Sequence, residues 1–303
     1  MIELPNRALE WVVDSVRPGA KVTSVSRLLG GTSSLIHSIK LQTGREEADY
    51  VLRLINNEEW LQEEPDAAWH EAESLLFASG SGLPAPRLVA CDQSGESCGM
   101  PAVLMTKISG SVVLRPENLD RWLGGLADTL TRIHAVPADG FAWQYAAYID
   151  LETLEAPEWS GLSSEWSRAI AYARDRRPAA KMCFIHRDYH PANVLWTGGS
   201  VSGVVDWING CRGPAGIDVG QCRSDLAQLY DVATADAFLS AYEAAAGKQF
   251  AYDPYWDLVA LIDTLFGPPA VFSGWKALGV TGLTDGMMAE RVDAYMLSLL
   301  KRI

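Results

Sequence analysis

Apolar positions change their spacing along this chain near residue 110. Before that point, short segments alternate apolar and polar residues, the period of a half-buried strand; after it, apolar residues recur every three to four positions, the period of a helix. Residues 5–16 read as a short helix with Leu9, Trp11, Val12 and Val16 on one stripe. Segments 21–29, 34–42 and 50–55 read as strands, with Thr43-Gly44-Arg45 as the turn between the last two. Residues 65–79 read as a helix closed by Gly80 and Gly82, and 87–91 and 101–106 as two further strands. Beyond Gly110, helical periodicity covers 117–134, 163–177, 217–231, 234–246, 253–265 and 284–303. A small α/β part therefore precedes a mostly helical one, with the junction near Lys107-Ile108-Ser109-Gly110.

Two charged residues interrupt the apolar pattern of the first part. On a strand over 50–55, Val51, Arg53 and Ile55 share one face and Tyr50, Leu52 and Leu54 the other. If the Arg53 face is covered, its cation needs a partner or a ligand; on an edge strand it would instead reach out to water. A partner carboxylate would come from the helix over 65–79. Glu71, a turn before Leu75, points inward with the apolar face, and Glu73, a turn before Phe77, is the rival. Ahead of Arg53, Leu29-Gly30-Gly31-Thr32-Ser33-Ser34 joins two strands. Its glycines and hydroxyls can form a compact turn whose N–H and Oγ groups approach phosphate oxygens, or simply a turn.

The densest chemistry lies in Phe184-Ile185-His186-Arg187-Asp188-Tyr189-His190-Pro191-Ala192-Asn193, followed by Asp206 in Val204-Val205-Asp206-Trp207. Asp188, Asn193 and Asp206 offer two carboxylates and an amide oxygen. These are hard oxygen ligands suited to Mg2+ that keeps some waters and shares the rest of its shell with phosphates. Pro191 breaks any regular helix or central strand there, and the apolar segments 182–185, 194–196 and 201–205 frame the loop. Such a loop between buried strands is a place where reactive groups are presented. His186, Asp188 and His190 also invite a zinc reading, but Pro191 and the lack of a further histidine cluster weigh against it.

The run His-x-Asp-x-x-x-x-Asn followed by a strand ending in Asp resembles the catalytic and metal-binding loops of the protein-kinase-like superfamily. The His190-Pro191 and Asp206-Trp207 pairs resemble its aminoglycoside phosphotransferase and choline kinase branch. That resemblance implies an α+β, protein-kinase-like bilobal fold: an N-terminal lobe over 1–108 with an antiparallel sheet and a helix, and a large helical C-terminal lobe over 109–303. It implies that Asp188 acts as base or orienting group for an acceptor hydroxyl, and that Asn193 and Asp206 hold Mg2+ against nucleotide phosphates. Gly30, Gly31, Thr32 and Ser33 would form the phosphate loop, with Arg53 on the phosphates paired to Glu71. Thr106 and Ile108 would border the adenine at the hinge. His186 would anchor the loop from beneath, and His134 would pack there as well. In Gly213-Pro214-Ala215-Gly216-Ile217-Asp218, Asp218 would cap the following helix and tie the loop down. The co-substrate would be ATP, with GTP as the other candidate, and the acceptor a small hydroxylated molecule (aminoglycoside, macrolide, choline or sugar among them). Its pocket would be built from the insertion over 141–160 and the C-terminal helices. Arg53 departs from the lysine of protein kinases, which leaves a non-catalytic nucleotide-binding module as the competing reading. The segment between Asp206 and Ile217 is too short for the activation segment of a protein kinase.

Composition narrows the setting. At 303 residues, with 48% apolar and 21% charged, the chain can bury a substantial core. A formal charge of −13 argues against nucleic acid, which needs a basic face, and accords with a cationic acceptor. Five cysteines without C-x-x-C spacing, no apparent secretory signal and no apolar run of bilayer length lead to the expectation of a cytoplasmic protein without a membrane partner.

Overall fold

A computed structural model describes residues 4–28 and 34–303. The chain forms two compact units, Met1–Gly110 with Ser202–Asn209, and Ser111–Val201 with Gly210–Ile303.

The first unit is built on an antiparallel sheet. Helix α1 (Asn6–Val16) leads into strands β1 (Lys21–Arg27), β2 (Leu35–Thr43) and β3 (Glu46–Leu54). Helices α2 (Glu58–Glu63) and α3 (Ala67–Gly80) follow, then strands β4 (Leu88–Asp92) and β5 (Ala102–Thr106), in the spatial order β1-β2-β3-β5-β4. Cross-strand register sorts the side chains onto two faces. Leu35 stands opposite Leu54, and Leu52 opposite both His37 and Leu104. Those leucines share a buried cluster with Ala8 and Val12 of α1, Ile39, Leu41 and Ala102. Arg53 pairs with Ile36 and Val103, and alternation sends its side chain to the other face. α3 buries Ala68, Glu71, Ala72 and Leu75 and packs along β4 and β5.

The hairpin ladder runs further than apolar alternation indicates. β3 begins at Glu46 rather than at residue 50, because exposed Glu46, Glu47 and Asp49 continue the backbone pairing without burying anything. α2 had no apolar signature, since it buries no residue. It is set instead by Asn57, whose Oδ1 accepts the Trp60 N–H at 3.1 Å.

The second unit opens with strand β6 (Ser111–Val112) and helices α4 (Leu119–His134) and α5 (Ser163–Asp175). Strand β7 (Met182–Ile185), a 3₁₀ turn at Pro191–Asn193, and strands β8 (Val194–Thr197), β9 (Ser200–Val204, which passes into the first unit at Ser202) and β10 (Cys211–Pro214) follow along the chain. Helices α6 (Ala215–Leu229), α7 (Val232–Ala246), α8 (Pro254–Ile262), α9 (Ser273–Ala277) and α10 (Asp285–Leu300) complete it. β7 pairs antiparallel with β10, Ile185 opposite Cys211, and β6, β8 and β9 form a second small sheet. The Cys-Arg-Gly-Pro sequence of β10 carries no alternation, so nothing in its pattern announced a strand. α8 stops at Ile262, three residues short of the expected end, where Asp263 becomes its C-terminal cap. Arg223 on α6 is fully buried: it donates to Ala235 O (3.2 Å) and Asp236 Oδ1 (2.6 Å) on α7, to Tyr252 Oη (3.1 Å), and to Asp257 on α8. Three helices are thereby fastened by one cation.

All five cysteines carry free thiols, four of them buried and Cys91 half-buried. No helix among the described residues is long and apolar enough to cross a membrane.

Candidate active site

Ile185 ends β7 fully buried, and the chain then turns sharply. Arg187 takes a left-handed backbone, φ 67°, a conformation that costs a non-glycine residue about 1–3 kcal/mol unless its surroundings hold it. Asp218, in the first turn of α6 and fully buried, is what holds it. Its Oδ2 accepts the His186 N–H at 2.7 Å and its Oδ1 the Arg187 N–H at 2.8 Å. Asp218 was expected to cap α6 as well. It makes no cap; both oxygens are committed to the loop and to His134, whose Nε2 lies 3.1 Å from Oδ2. The other His134 nitrogen, Nδ1, sits 2.6 Å from the Tyr242 hydroxyl on α7. Burial alone would raise the Asp218 pKa; hydrogen bonding and charge from His134, aided by His186, outweigh it and hold the carboxyl below its ordinary value. Asp218 is therefore an anion at neutral pH, clamping two consecutive amides ahead of Asp188.

Past the clamp, Asp188 leaves the interior with its side chain 35% exposed. Asn193, at the end of the 3₁₀ turn, donates from Nδ2 to the Asp188 carbonyl at 2.9 Å and to its Oδ2 at 3.1 Å. With both amide hydrogens turned to Asp188, the group Asn193 can offer elsewhere is its carbonyl oxygen. His190 Nε2 lies 3.7 Å from the other Asp188 oxygen. His186 is fully buried, its ring edge-on to Tyr189.

In the first unit, Arg53, Glu71 and Asp206 meet. Arg53 Nη2 donates to Asp206 Oδ1 at 2.7 Å, and its Nε lies 3.4 Å from Glu71 Oε2. Arg53 and Glu71 are nearly inaccessible, whereas Asp206 is 31% exposed. One guanidinium therefore faces two carboxylates. Burial chiefly, with help from Asp206 and against Arg53, pushes the Glu71 pKa up from 4.5 to about 7. Glu73, the rival, is only half-buried. Asp206 also has a left-handed backbone, φ 69°, which Asp tolerates better than most residues. The segment leading to it is tied to loops of the first unit: Val204 N–H donates to Pro84 O at 2.7 Å, and Ser202 Oγ to Ser109 O at 2.7 Å. Ile108 packs against Gly203, where a β-carbon would come within 2.7 Å of its side chain. Thr106 closes β5, its Oγ1 accepting the Arg87 N–H at 2.9 Å. Gly30, Gly31, Thr32 and Ser33 lie outside the described residues.

A second cluster, which the sequence pattern does not announce, lies beside Asp188 on the same loop. Arg187 is buried and donates to Asp263 Oδ2 at 2.7 Å, with its guanidinium over the rings of Tyr145 (4.7 Å) and Tyr148 (4.3 Å). Tyr145 lies in the insertion over 141–160 and Asp263 in the segment 253–265 read as a helix, and no periodicity links either to Arg187. A charged residue between His186 and Asp188, at a turn glycine would form more cheaply, was the available signal.

An antiparallel sheet with a packed helix, followed by a helical unit carrying a clamped His-x-Asp-x-x-x-x-Asn loop, defines a protein-kinase-like α+β fold. Residues 24–260 match the phosphotransferase enzyme family, and the chain belongs to it. Two solved structures illustrate the fold. A variant of aminoglycoside phosphotransferase APH(4)-Ia, in ternary complex with AMP-PNP and hygromycin B, superposes with a TM-score of 0.61 at 17% identity, covering 95% of this chain and 97% of that one. Macrolide 2'-phosphotransferase MphH from Brachybacterium faecium gives 0.59 at 15% identity, covering 94% and 98%. Among curated relatives, homoserine kinase of Methylocella silvestris is 29% identical over 159 residues, 48% of this chain and 49% of its own length. Homoserine kinase of Pseudomonas aeruginosa is 28% identical over 185 residues, 56% and 58% of the two chains. The chain spans about half the length of the curated relatives it matches.

Proposed function

We propose that this protein is a small-molecule kinase that moves the γ-phosphoryl group of ATP, or of GTP, to a hydroxyl of a small acceptor. The observation that carries the reading is the Asp188–Asn193 pair, at 2.9 and 3.1 Å, on a loop whose two preceding amides are fixed by Asp218. In this reading Asp188 accepts the acceptor's proton or aims its lone pair, a role that contributes about 10²–10⁴ in rate. Anchoring by Asp218 holds that carboxylate in place before substrate arrives, and positioning is most of what phosphoryl transfer asks of a protein.

Asn193 and Asp206 are the proposed Mg2+ ligands. Their chemistry fits the ion: an amide whose hydrogens are already spent presents oxygen, and Asp206 presents a partly exposed carboxylate. When bound, Mg2+ supplies charge neutralisation of the transferring phosphoryl group. Arg53, kept in place by Glu71, can grip two phosphate oxygens with a charge that does not titrate. Gly30, Gly31, Thr32 and Ser33 are proposed as further phosphate contacts, and Thr106 and Ile108 as neighbours of the adenine. The relatives act on homoserine, aminoglycosides or macrolides by name, which frames the acceptor as a hydroxylated small molecule.

The test is a mass-spectrometric screen of hydroxylated metabolites and antibiotics, L-homoserine included, with Mg·ATP and Mg·GTP. A phosphorylated product is expected from the wild type. Asp188→Asn should lower turnover at least about 100-fold while leaving nucleotide binding within about twofold, and Asp206→Ala should weaken the Mg2+-dependent part of that binding. A thermal shift with Mg·ATP and no product from any acceptor would leave a nucleotide-binding module in place of a kinase.

A further inference from the structure

Arg187 occupies the position immediately before Asp188, and its backbone torsion is one that glycine adopts freely. What arginine adds there is a side chain, and the structure shows where it goes. Its Nη2 donates to Asp263 Oδ2 at 2.7 Å and to Ala146 O at 3.3 Å, and the guanidinium lies over Tyr145 and Tyr148. Asp263, at the end of α8 and 2% exposed, accepts the N–H of Tyr148 (3.0 Å), the N–H of Ile149 (3.3 Å) and the hydroxyl of Tyr145 (3.4 Å). One ion pair thus joins three pieces of the second unit: the loop carrying Asp188, the segment between α4 and α5, and the end of α8. Beyond the pair those two segments present an aromatic surface, Tyr148 (51% exposed) beside Phe266 (75% exposed) with ring centroids 6.4 Å apart. The surface borders a cavity of about 340 Å³ that includes Trp159 and Trp166 in its lining.

We propose that Arg187 is a positioning residue, and that its latch to Asp263, between Tyr145 and Tyr148, fixes the acceptor-facing segment 145–149 relative to the Asp188 carboxylate. The inference rests on the kinase reading and goes further, since it assigns acceptor alignment to a residue that touches neither nucleotide nor transferring group. A planar guanidinium gripping a carboxylate between two rings leaves little freedom to either partner. A misplacement of about 1 Å at a reacting pair can cost on the order of 100-fold in rate.

The experiment compares Arg187→Gln, Arg187→Lys, Asp263→Asn and the paired R187Q/D263N with the wild type. Steady-state kinetics use Mg·ATP and L-homoserine first, then whichever acceptor the screen returns, alongside amide hydrogen exchange at Tyr148 and Ile149. Arg187→Gln should lower kcat/KM for the acceptor by about 100-fold, leave KM for Mg·ATP within about twofold, and speed exchange at both amides by about tenfold. Arg187→Lys, which restores the charge but not the stacked plane, should recover about tenfold of the loss. The paired variant removes the stranded buried carboxylate that the single change leaves; it should fold as well as the wild type and still align the acceptor poorly.

Acceptor kinetics unchanged in folded Arg187→Gln would overturn the latch alone. So would losses shared equally by ATP and acceptor that vanish in the paired variant, because they would mark a purely structural role. No product from the wild type with any acceptor would refute the kinase reading and the latch together.

Discussion

Glu71 gives the sharpest test of the charge arrangement in the first unit. Its pKa, raised to about 7 mainly by burial, lies above that of the same group in an unfolded chain. Between the two values the native protein binds the proton more tightly than the denatured one. Stability is therefore greatest while Glu71 is neutral, declines as pH rises from about 4.5, and levels off above about 7. At about 1.36 kcal/mol per pKa step, the whole decline amounts to about 3 kcal/mol. Glu71→Gln keeps the side chain's shape and is neutral throughout, so it lacks this component. Arg53 is not stranded by the change, because Asp206 remains at 2.7 Å. At pH 5 the two proteins should differ by no more than about 1 kcal/mol; by pH 8 the variant should have gained about 3 kcal/mol on the wild type. Other titrating groups are common to both chains and cancel in the difference. Urea unfolding between pH 5 and 8 reads it directly, and at about 1–3 kcal/mol per molar urea the midpoints should separate by roughly 1–3 M. Turnover should move the other way, falling as Arg53 loses one of its two anchors. A stability difference that stays flat with pH would refute the reasoning, since Glu71 would then be ionised across the range with Arg53 outweighing burial.

Asp218→Asn removes one of two acceptor oxygens and sets an NH2 group against a backbone donor, so it should cost about 3–5 kcal/mol in thermal or urea unfolding and most of the activity. Because the Asp218 pKa is held below its ordinary 3.8, the stability it lends is present above that pH and lost as pH falls through the lower native value. The wild type should therefore show an acid-dependent loss that the variant lacks. Gly216→Ala would place a β-carbon 2.5 Å from the Trp256 ring and should destabilise by about 1–3 kcal/mol; calorimetry showing no change would mean that α8 yields easily there.

The strands of the first unit could be read from short apolar segments between turn residues, although the central ones are buried on both faces rather than at every second residue. Alternation put Arg53 on the face opposite Leu52, whereas helical spacing left Glu71 and Glu73 as rivals and the family resemblance favoured Glu71. The 184–193 run was legible for another reason: a proline, a carboxylate, an amide and two histidines in a short loop are a poor recipe for packing. What stayed hidden was written in contacts rather than in periods. β10 is held by its pairing with β7, not by pattern. Residues 202–209 continue an apolar strand in sequence, yet belong with the first unit, where Val204 N–H and the Ser202 hydroxyl bond the carbonyls of Pro84 and Ser109. Arg187 and Asp263, 76 positions apart, share nothing that a linear reading could join.

The cysteines carry a practical consequence. Burial pushes the thiols of Cys91 and Cys98 up to about 11 and those of Cys183 and Cys211 to about 12, and it raises Cys222 well above the ordinary thiol value too. At neutral pH scarcely any thiolate exists to react with a maleimide. A cysteine introduced on an exposed loop would then be the one that takes the dye, so the native protein can serve for fluorescence or spin-label work without first being stripped of its own sulfur.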